Sequence, residues 1–326
     1  MDSDTCRFSR RGLLGLLGAV VFVPAWRSAR ADDHAPLRIG FQKGTFNLAL
    51  LKSLGLLDKH LPGTTVQWVE FPAGPQLLEA LAVGSIDLGA TGDAPPVFAQ
   101  AAGKDLLYVG AEPPKPDSSA ILVKPDAPLR TLADLKGRRV ALQKGSSAHF
   151  LTVQAVARAG LAWADITPVY LPPADARAAF ERGAVDAWAI WDPYYAAAEI
   201  DGQVRVLVTS RGLTGNNTFF LASRALAGRE RTLAGVFAAL TETDTWVQSH
   251  RQDAAKRYAD FAGLGLATVL RVLERRQPSP VAPLTPALVA EQQKVADAFA
   301  RLGLIPKPIQ VAQIVWTPGA PRVAAR

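Results

Sequence analysis

The sequence is almost without cysteine. Cys6 is the only cysteine among 326 residues, and it lies in an N-terminal segment that we expect to be removed. A chain without cysteine has no disulfide, no thiolate nucleophile and no cysteine-ligated metal. The sequence also shows no His/Glu metal cluster and no serine with a plausible catalytic triad. We therefore expect no cofactor, no metal site and no enzyme activity.

Long basic blocks and long apolar runs are missing as well. No Lys/Arg-rich block with interleaved aromatic residues occurs, so we expect no nucleic-acid partner. The apolar run Leu13–Trp26 is too short to span a membrane. It follows the arginines of Arg7–Arg11 and precedes Ala29-Arg-Ala31, a pattern typical of an export signal, and Ser9-Arg-Arg-Gly-Leu-Leu14 resembles the twin-arginine type. We expect residues 1–31 to be this signal, cleaved near Ala31, and the mature protein to be an exported soluble monomer without membrane insertion.

The rest of the chain contains one pattern twice. Ile39-Gly-Phe-Gln-Lys-Gly-Thr45 and Val140-Ala-Leu-Gln-Lys-Gly-Ser-Ser147 each predict a strand, a polar glycine loop and the start of a helix. Asp93 and Asp192 each follow a later strand of their segment. The offsets between matching landmarks are 101, 100, 99 and 99 residues. The repeat predicts two similarly folded lobes.

Strands alternate with helical segments, which predicts an α/β fold with parallel sheets. The Pro-rich stretch Glu112–Pro116 and the polar loop Gly212–Thr218 interrupt this alternation, so we interpret them as two crossings between lobes. The predicted boundaries are 32–113 and 219–326 for lobe 1 with its C-terminal helices, and 114–218 for lobe 2. The predicted strands are Leu37–Phe41, Val66–Phe71, Ile86–Thr91, Leu106–Val109, Ala120–Val123, Val140–Leu142, Ile166–Leu171, Val185–Trp191, Val204–Val208 and Phe219–Ala222.

The repeated loops predict an anion site. A helix that begins beyond the end of a strand presents unpaired N–H groups and the positive end of its dipole. Ligands of such sheets lie beyond the carboxyl ends of the strands, so the two loops should face each other across a cleft. Two such helix ends predict that an anion is held between the lobes.

The chain resembles the periplasmic aliphatic-sulphonate-binding proteins of ABC importers from about Leu37 to Trp316. The resemblance rests on long strings: Trp68-Val-Glu-Phe-Pro-Ala-Gly-Pro-Gln76, Thr91-Gly-Asp93, Glu112-Pro-Pro-Lys-Pro116, Gln143-Lys-Gly-Ser-Ser147 and Ala187-Trp-Ala-Ile-Trp-Asp-Pro-Tyr194. It implies a type II periplasmic-binding-protein fold that holds a sulphonate between its lobes and delivers it to a membrane permease driven by an ATPase. Phe46-Asn-Leu48 departs from the smaller residues of that family.

A sulphonate is an anion at any biological pH, so its site needs oriented donors rather than a base. We expect ligand contacts from hydroxyl, amide, aromatic and backbone groups near the strand ends, and several of them have a structural alternative. The hydroxyl residues and the two aspartates could serve as helix caps, Trp191 could be a core residue, and His149 could be structural. Lys43 and Lys144 are expected to point to solvent. The candidate ligand-binding residues are Gln42, Thr45, Thr91, Gly92, Asp93, Ser146, Ser147, His149, Trp191, Asp192 and Asn217.

Other proteins of the same scaffold leave alternatives open. Receptors for taurine, nitrate or a thiamine-precursor pyrimidine share the architecture. Desulphinases and pyrimidine-synthesis enzymes also resemble it, but their chemistry uses a cysteine, which the mature chain lacks.

Overall fold

The structure, a computed structural model, describes residues 36–319, which all belong to one compact unit. The predicted export signal lies outside these residues. The strands in the described range are β1 Leu37–Phe41, β2 Val66–Glu70, β3 Leu88–Thr91, β4 Leu107–Ala111, β5 Ser119–Val123, β6 Arg139–Leu142, β7 Thr167–Tyr170, β8 Ala187–Trp191, β9 Arg205–Thr209 and β10 Phe219–Ala222.

Helices connect and cover these strands. Thr131 and Thr285 each lie directly before a helical segment, and the Thr285 hydroxyl accepts a hydrogen bond from the Leu288 amide. The α-helices are α1 Phe46–Leu54, α2 Leu56–His60, α3 Gly74–Ala82, α4 Ala94–Ala101, α5 Ser147–Arg158, α6 Pro173–Glu181, α7 Tyr194–Ile200, α8 Arg224–Ala227, α9 Glu230–Ser249, α10 Arg251–Ala262, α11 Leu266–Arg275 and α12 Pro286–Arg301, and short 3₁₀ turns span Leu132–Leu135, Trp163–Asp165 and Val311–Ile314.

The strands form two five-stranded sheets, one in each lobe. The first has the order β2-β1-β3-β10-β4 and the second the order β7-β6-β8-β5-β9. Both are mixed rather than parallel, because β10 runs antiparallel to β3 and β4, and β5 runs antiparallel to β8 and β9. The reason is the connectivity: β5 and β10 each enter a sheet directly from a crossing, so they run away from the edge at which the parallel strands end. The two-lobed α/β prediction is confirmed. The expected parallel pairing occurs among β1, β2 and β3 and among β6, β7 and β8, and β5 and β10 are the exceptions.

The second sheet is covered on both faces. Ala187 and Ala189 of β8 face a cluster with α5, whereas Trp188 and Ile190 face a cluster with α6. Val185, which was predicted to begin this strand, precedes it in a bend and packs with Trp188 and Ile190 rather than with Ala187. Trp191 is the last residue of β8, so it lies at the carboxyl end of the strand.

The C-terminal helices pack on the first lobe, as predicted. α9 packs against the β1 face of the first sheet, α12 packs with α3 and α4 on the other face, and α10 and α11 pack on α1. α11 also contacts α7 of the second lobe. The C-terminal helices therefore touch both lobes beside the cleft.

Candidate functional site

A cavity of about 80 Å³ lies between the two lobes. Segments that follow β1, β3, β6 and β8 form much of its wall, so it lies beyond the carboxyl ends of parallel strands. The structure brings together these predicted residues along its wall: Gln42, Thr45, Thr91, Gly92, Ser146, Ser147, Trp191, Asp192 and Asn217. Asp93 and His149 do not line it.

The two repeated loops have matching hydrogen bonds. The Thr45 hydroxyl donates to the carbonyl of Gln42 at 2.7 Å, and the Ser146 hydroxyl donates to the carbonyl of Gln143 at the same distance. Gly145 has a positive φ of 72°, which a glycine adopts without strain. α1 begins directly after Thr45 and α5 directly after Ser146. The loops therefore bring two helix N-termini to the cleft, as the repeat predicts.

The lobes touch where Ser147 meets the end of β3. Ser147 belongs to the second lobe, and its side chain interacts with the carboxyl of Asp93 in the first. The Ser147 hydroxyl also fills the space that a Cβ at Gly92 would need. This contact requires a glycine, and it describes a closed arrangement of the two lobes.

Asp93 lies behind the cleft wall. Its carboxylate accepts a hydrogen bond from the Ala94 amide at 2.8 Å, so it caps α4. Burial raises the pKa of Asp93 to about 6, although the hydrogen bonds from Ser147 and Ala94 act against that rise. Asp93 thus connects the lobes through Ser147 and borders a separate cavity of about 410 Å³.

Trp191 and Asp192 form the opposite wall beside Gly44. A Cβ at Gly44 would lie 3.1 Å from the Asp192 carbonyl and 3.2 Å from the Trp191 ring, so this is a second close approach between the lobes. The Asp192 side chain accepts from the Ala196 amide at 3.1 Å, while its other carboxyl oxygen is buried without a hydrogen-bond partner. Burial raises the pKa of Asp192 to about 7, with Arg275 acting against the rise.

His149 is fully buried in an aromatic cluster. Its Nδ1 accepts a hydrogen bond from the Gly145 amide, and its ring centroid lies 5.1 Å from that of Phe299 and 5.9 Å from that of Phe98. Burial lowers the pKa of His149 to about 3. The side chain supports the loop from behind, which accords with the structural alternative for this residue.

The structure adds charged residues that sequence reasoning left out. Lys115 donates to Glu112 at 2.9 Å and to the Thr218 hydroxyl, and so connects the two crossings below the cleft. Burial acts to raise the pKa of Glu112, but Lys115 and Arg276 outweigh it and hold that pKa below its ordinary value. Lys115 could have been found from the sequence, because it belongs to the Pro-rich string that carries the family resemblance. Nothing in the sequence around Arg276 indicates a binding site. The further lining residues are Lys43, Gly44, Phe46, Gly74, Pro95, Lys115, Ser118, Pro193, Asn216, Thr218, Tyr258, Val272 and Arg276.

The loop lysines differ from each other. Lys43 lines the cleft, but its ammonium donates to the carbonyl of Ala262 at the carboxyl end of α10, where a cation is favoured. Lys144 is exposed, and its ammonium lies 5.6 Å from the centre of the Tyr170 ring. Neither ammonium is directed at an anion between the loops.

Residues 36–319 contain no group of three or more His, Cys, Asp or Glu side chains that could hold a metal ion. Within the same range, no helix has the length and apolar character needed to cross a bilayer.

Two α/β lobes with a ligand-sized cleft at their strand ends define the type II periplasmic-binding-protein fold. Residues 29–263 match the NMT1-like family, and the chain belongs to that family. An aliphatic sulfonates-binding protein of Escherichia coli (strain K12) is 49% identical over 307 residues, covering 94% of this chain and 95% of the relative.

Solved structures agree with this placement. The alkanesulfonate-binding protein SsuA from Xanthomonas axonopodis pv. citri, solved with bound MOPS, is 51% identical, and the match covers 86% of this chain and 98% of that chain with a TM-score of 0.83. The periplasmic aliphatic sulphonate binding protein SsuA from Escherichia coli is 48% identical, with 89% and 96% coverage and a TM-score of 0.81.

Proposed function

We propose that this protein is the substrate-binding component of an ABC importer that captures aliphatic sulphonates in the periplasm. It closes its two lobes around the ligand and delivers it, as a monomer, to a membrane permease driven by an ATPase for sulphur acquisition. It acts as a binding protein and not as an enzyme, which accords with the names of its relatives. Residues 1–31 are the export signal, residues 32–113 and 219–326 form lobe 1, and residues 114–218 form lobe 2.

The observation that carries this proposal is the pair of matching loops. Thr45 and Ser146 hold the same hydrogen bond in the two lobes, and each precedes a helix whose N-terminus reaches the cleft. Hydroxyls and backbone N–H groups suit a ligand whose charge is fixed, because the sulphonate itself neither takes up nor releases a proton on binding. The predicted site residues bind the sulphonate either directly or, for Asp93 and His149, by supporting the loops.

The tail of the ligand packs against the apolar part of the wall. Phe46, Trp191, Tyr258 and Val272 line the cleft together. Burial of an alkyl chain there contributes about 0.8 kcal/mol per methylene, which an inorganic ion cannot gain. Affinity should therefore rise from methanesulphonate to medium-length alkanesulphonates and exceed that for sulphate or nitrate.

Thermal unfolding in the presence of these ligands tests the proposal. A ligand at about a hundred times its Kd adds roughly 2.7 kcal/mol to the unfolding free energy, which raises Tm by several degrees. Calorimetric titration then gives the affinity for each member of the series from methane- to octanesulphonate. A flat series with tight nitrate binding would contradict the proposal.

Taurine is the second candidate because of Asp192. One carboxyl oxygen of Asp192 is buried without a hydrogen-bond partner in a residue that lines the cleft. An ammonium group on the ligand tail could donate to that carboxylate. Taurine binding tighter than butanesulphonate would favour this candidate and keep the anion site unchanged.

A further inference from the structure

A buried charged cluster lies at the base of the cleft. Glu112, Lys115 and Arg276 have side-chain exposures of 6%, 10% and 4%. The Lys115 ammonium lies 2.9 Å from one carboxyl oxygen of Glu112, and the Arg276 guanidinium lies 3.6 Å from the other. Two cations thus share one carboxylate, and both belong to residues that line the cavity.

Arg276 interacts with the Glu112 carboxylate more weakly than Lys115 does. The 3.6 Å separation is too long for a hydrogen bond, and Nε and Nη2 of Arg276 are buried without any hydrogen-bond partner. Lys115, in contrast, donates to both Glu112 and Thr218 and also feels the charge of Asp93. A buried guanidinium with unused donors is unfavourable unless a further acceptor is supplied.

The neighbours of Arg276 do not supply that acceptor. The Phe46 ring lies 5.2 Å from its guanidinium carbon and carries no charge. The other carboxylates near α11, Asp192 and Glu199, face Arg275 and Arg271. The free donors of Arg276 can therefore be satisfied by an anionic ligand that enters the cleft between the lobes.

We propose that Arg276 is the residue that makes the cleft select a charged ligand, by donating from its guanidinium to the anionic group of the bound sulphonate. This role rests on the function proposed above and strengthens the preference for an anion that the loops begin. Hydroxyls and backbone N–H groups at the helix N-termini favour a sulphonate, but they also donate to the oxygens of a neutral sulphonamide. A guanidinium binds the anion preferentially, because a hydrogen bond that involves an ionised group is about twice as strong as a neutral one.

Two substitutions that should affect ligand affinity differently test the role. Arg276→Met removes the charge and keeps an apolar stem, so affinity for pentanesulphonate should fall by about 10- to 150-fold. Glu112→Gln removes the competing carboxylate, so affinity for the same ligand should stay constant or rise. A purely structural cluster would instead weaken binding in both variants. Calorimetric titration gives both affinities, and thermal unfolding without ligand shows whether each variant is folded.

Pentanesulphonamide serves as the neutral probe. Arg276→Met should lower the preference for pentanesulphonate over pentanesulphonamide, and Arg276→Lys should restore part of it if Arg276→Met folds poorly. A variant that retains the wild-type preference overturns the role of Arg276, and so does a parallel loss of affinity in Arg276→Met and Glu112→Gln. If pentanesulphonamide binds too weakly to measure, the test is whether affinity for pentanesulphonate falls in Arg276→Met but not in Glu112→Gln. A wild-type protein that binds no sulphonate would instead overturn the function proposed above.

Discussion

The hydroxyl of Ser147 occupies the space next to Gly92 in which any larger residue would carry its Cβ. The two residues belong to different lobes, so their contact exists only while the lobes are closed. The Ser147 side chain also interacts with Asp93, which follows Gly92 in the chain. One close approach of the two lobes therefore lies beside the proposed anion site.

Gly92→Ala should impair closure without unfolding the protein. The added methyl group would collide with Ser147, so affinity for pentanesulphonate should fall by more than about tenfold. The matched control is Gly265→Ala, whose Cβ would meet only the Thr268 hydroxyl at 3.9 Å. Calorimetric titration with small-angle scattering checks affinity and closure together, and wild-type affinity in Gly92→Ala would disprove the expected clash.

Ser146→Ala combined with Ser147→Ala should weaken sulphonate binding by more than tenfold. Each hydroxyl has one proton, which turns from its present acceptor to the anion on binding, and a hydrogen bond to a charged group contributes about 1.5–3 kcal/mol. Ser146 also caps α5, so the double variant loses a helix cap. Thr285→Ala removes the cap of α12 away from the cleft and should lower Tm with unchanged affinity. If the serine variant behaves like Thr285→Ala, the serines act only as caps.

Binding of an alkanesulphonate should tighten as the pH falls from 8 to 6.5. Burial raises the pKa of Asp192 to about 7, so its carboxylate becomes neutral in this range and no longer repels the anion. We expect a change of about three- to tenfold. Asp192→Asn should bind with a nearly constant affinity across the same range. Taurine held by an ionised Asp192 would show the opposite trend in titrations at the two pH values.

Asp192 should also affect stability with a defined sign. Its folded pKa of about 7 exceeds the ordinary value of 3.8, so the folded state binds the proton more tightly than the unfolded state. The resulting stability is complete below pH 3.8 and is lost as the pH rises through 7. Denaturant unfolding of wild type and Asp192→Asn should therefore show a difference that increasingly favours the variant between pH 4 and 8. A constant difference would mean that the Asp192 pKa is ordinary.

Glu199→Gln should weaken ligand binding through the lobe contact. Glu199 of α7 forms ion pairs with Arg271 and Arg275 of α11, which belongs to the C-terminal helices of the first lobe. Loss of these pairs destabilises the closed arrangement, so affinity should fall by about three- to thirtyfold. Glu274→Gln is the control, because Glu274 pairs with Arg271 inside α11 and is exposed. Equal affinities in both variants at low and high salt would rule out a role for these ion pairs in closure.

The repeat and the strand pattern were sufficient to predict the two lobes and most of the cleft. Periodicity locates strands well, and the two Gln-Lys-Gly loops, which were predicted as loops before helices, form matching local hydrogen bonds between residues three apart. The antiparallel direction of β5 and β10 was not predicted, because the sequence of a short apolar strand does not indicate its direction in a sheet. The crossings themselves, however, were visible as polar and Pro-rich interruptions.

Burial and long-range pairing explain what the sequence could not reveal. Arg276 reaches the cleft only because α11 packs on α1, a contact between segments far apart in the chain. The position of His149 suggested a donor to the anion, but the ring lies in an aromatic cluster formed by both lobes. The shifted pKa of Asp192 likewise follows from desolvation, which has no local sequence signal.

The position of β10 in the middle of the first sheet has a consequence for how the chain acquires its fold. Its hydrogen-bonded neighbours β3 and β4 precede it by more than a hundred residues, and the whole second sheet lies between them in the chain. Closing so long a loop slows strand pairing, whereas β5 to β9 form their sheet from one continuous segment. The second lobe can therefore assemble first during synthesis, and the sheet of the first lobe stays divided into the group β2-β1-β3 and the single strand β4 until residue 222 has emerged from the ribosome.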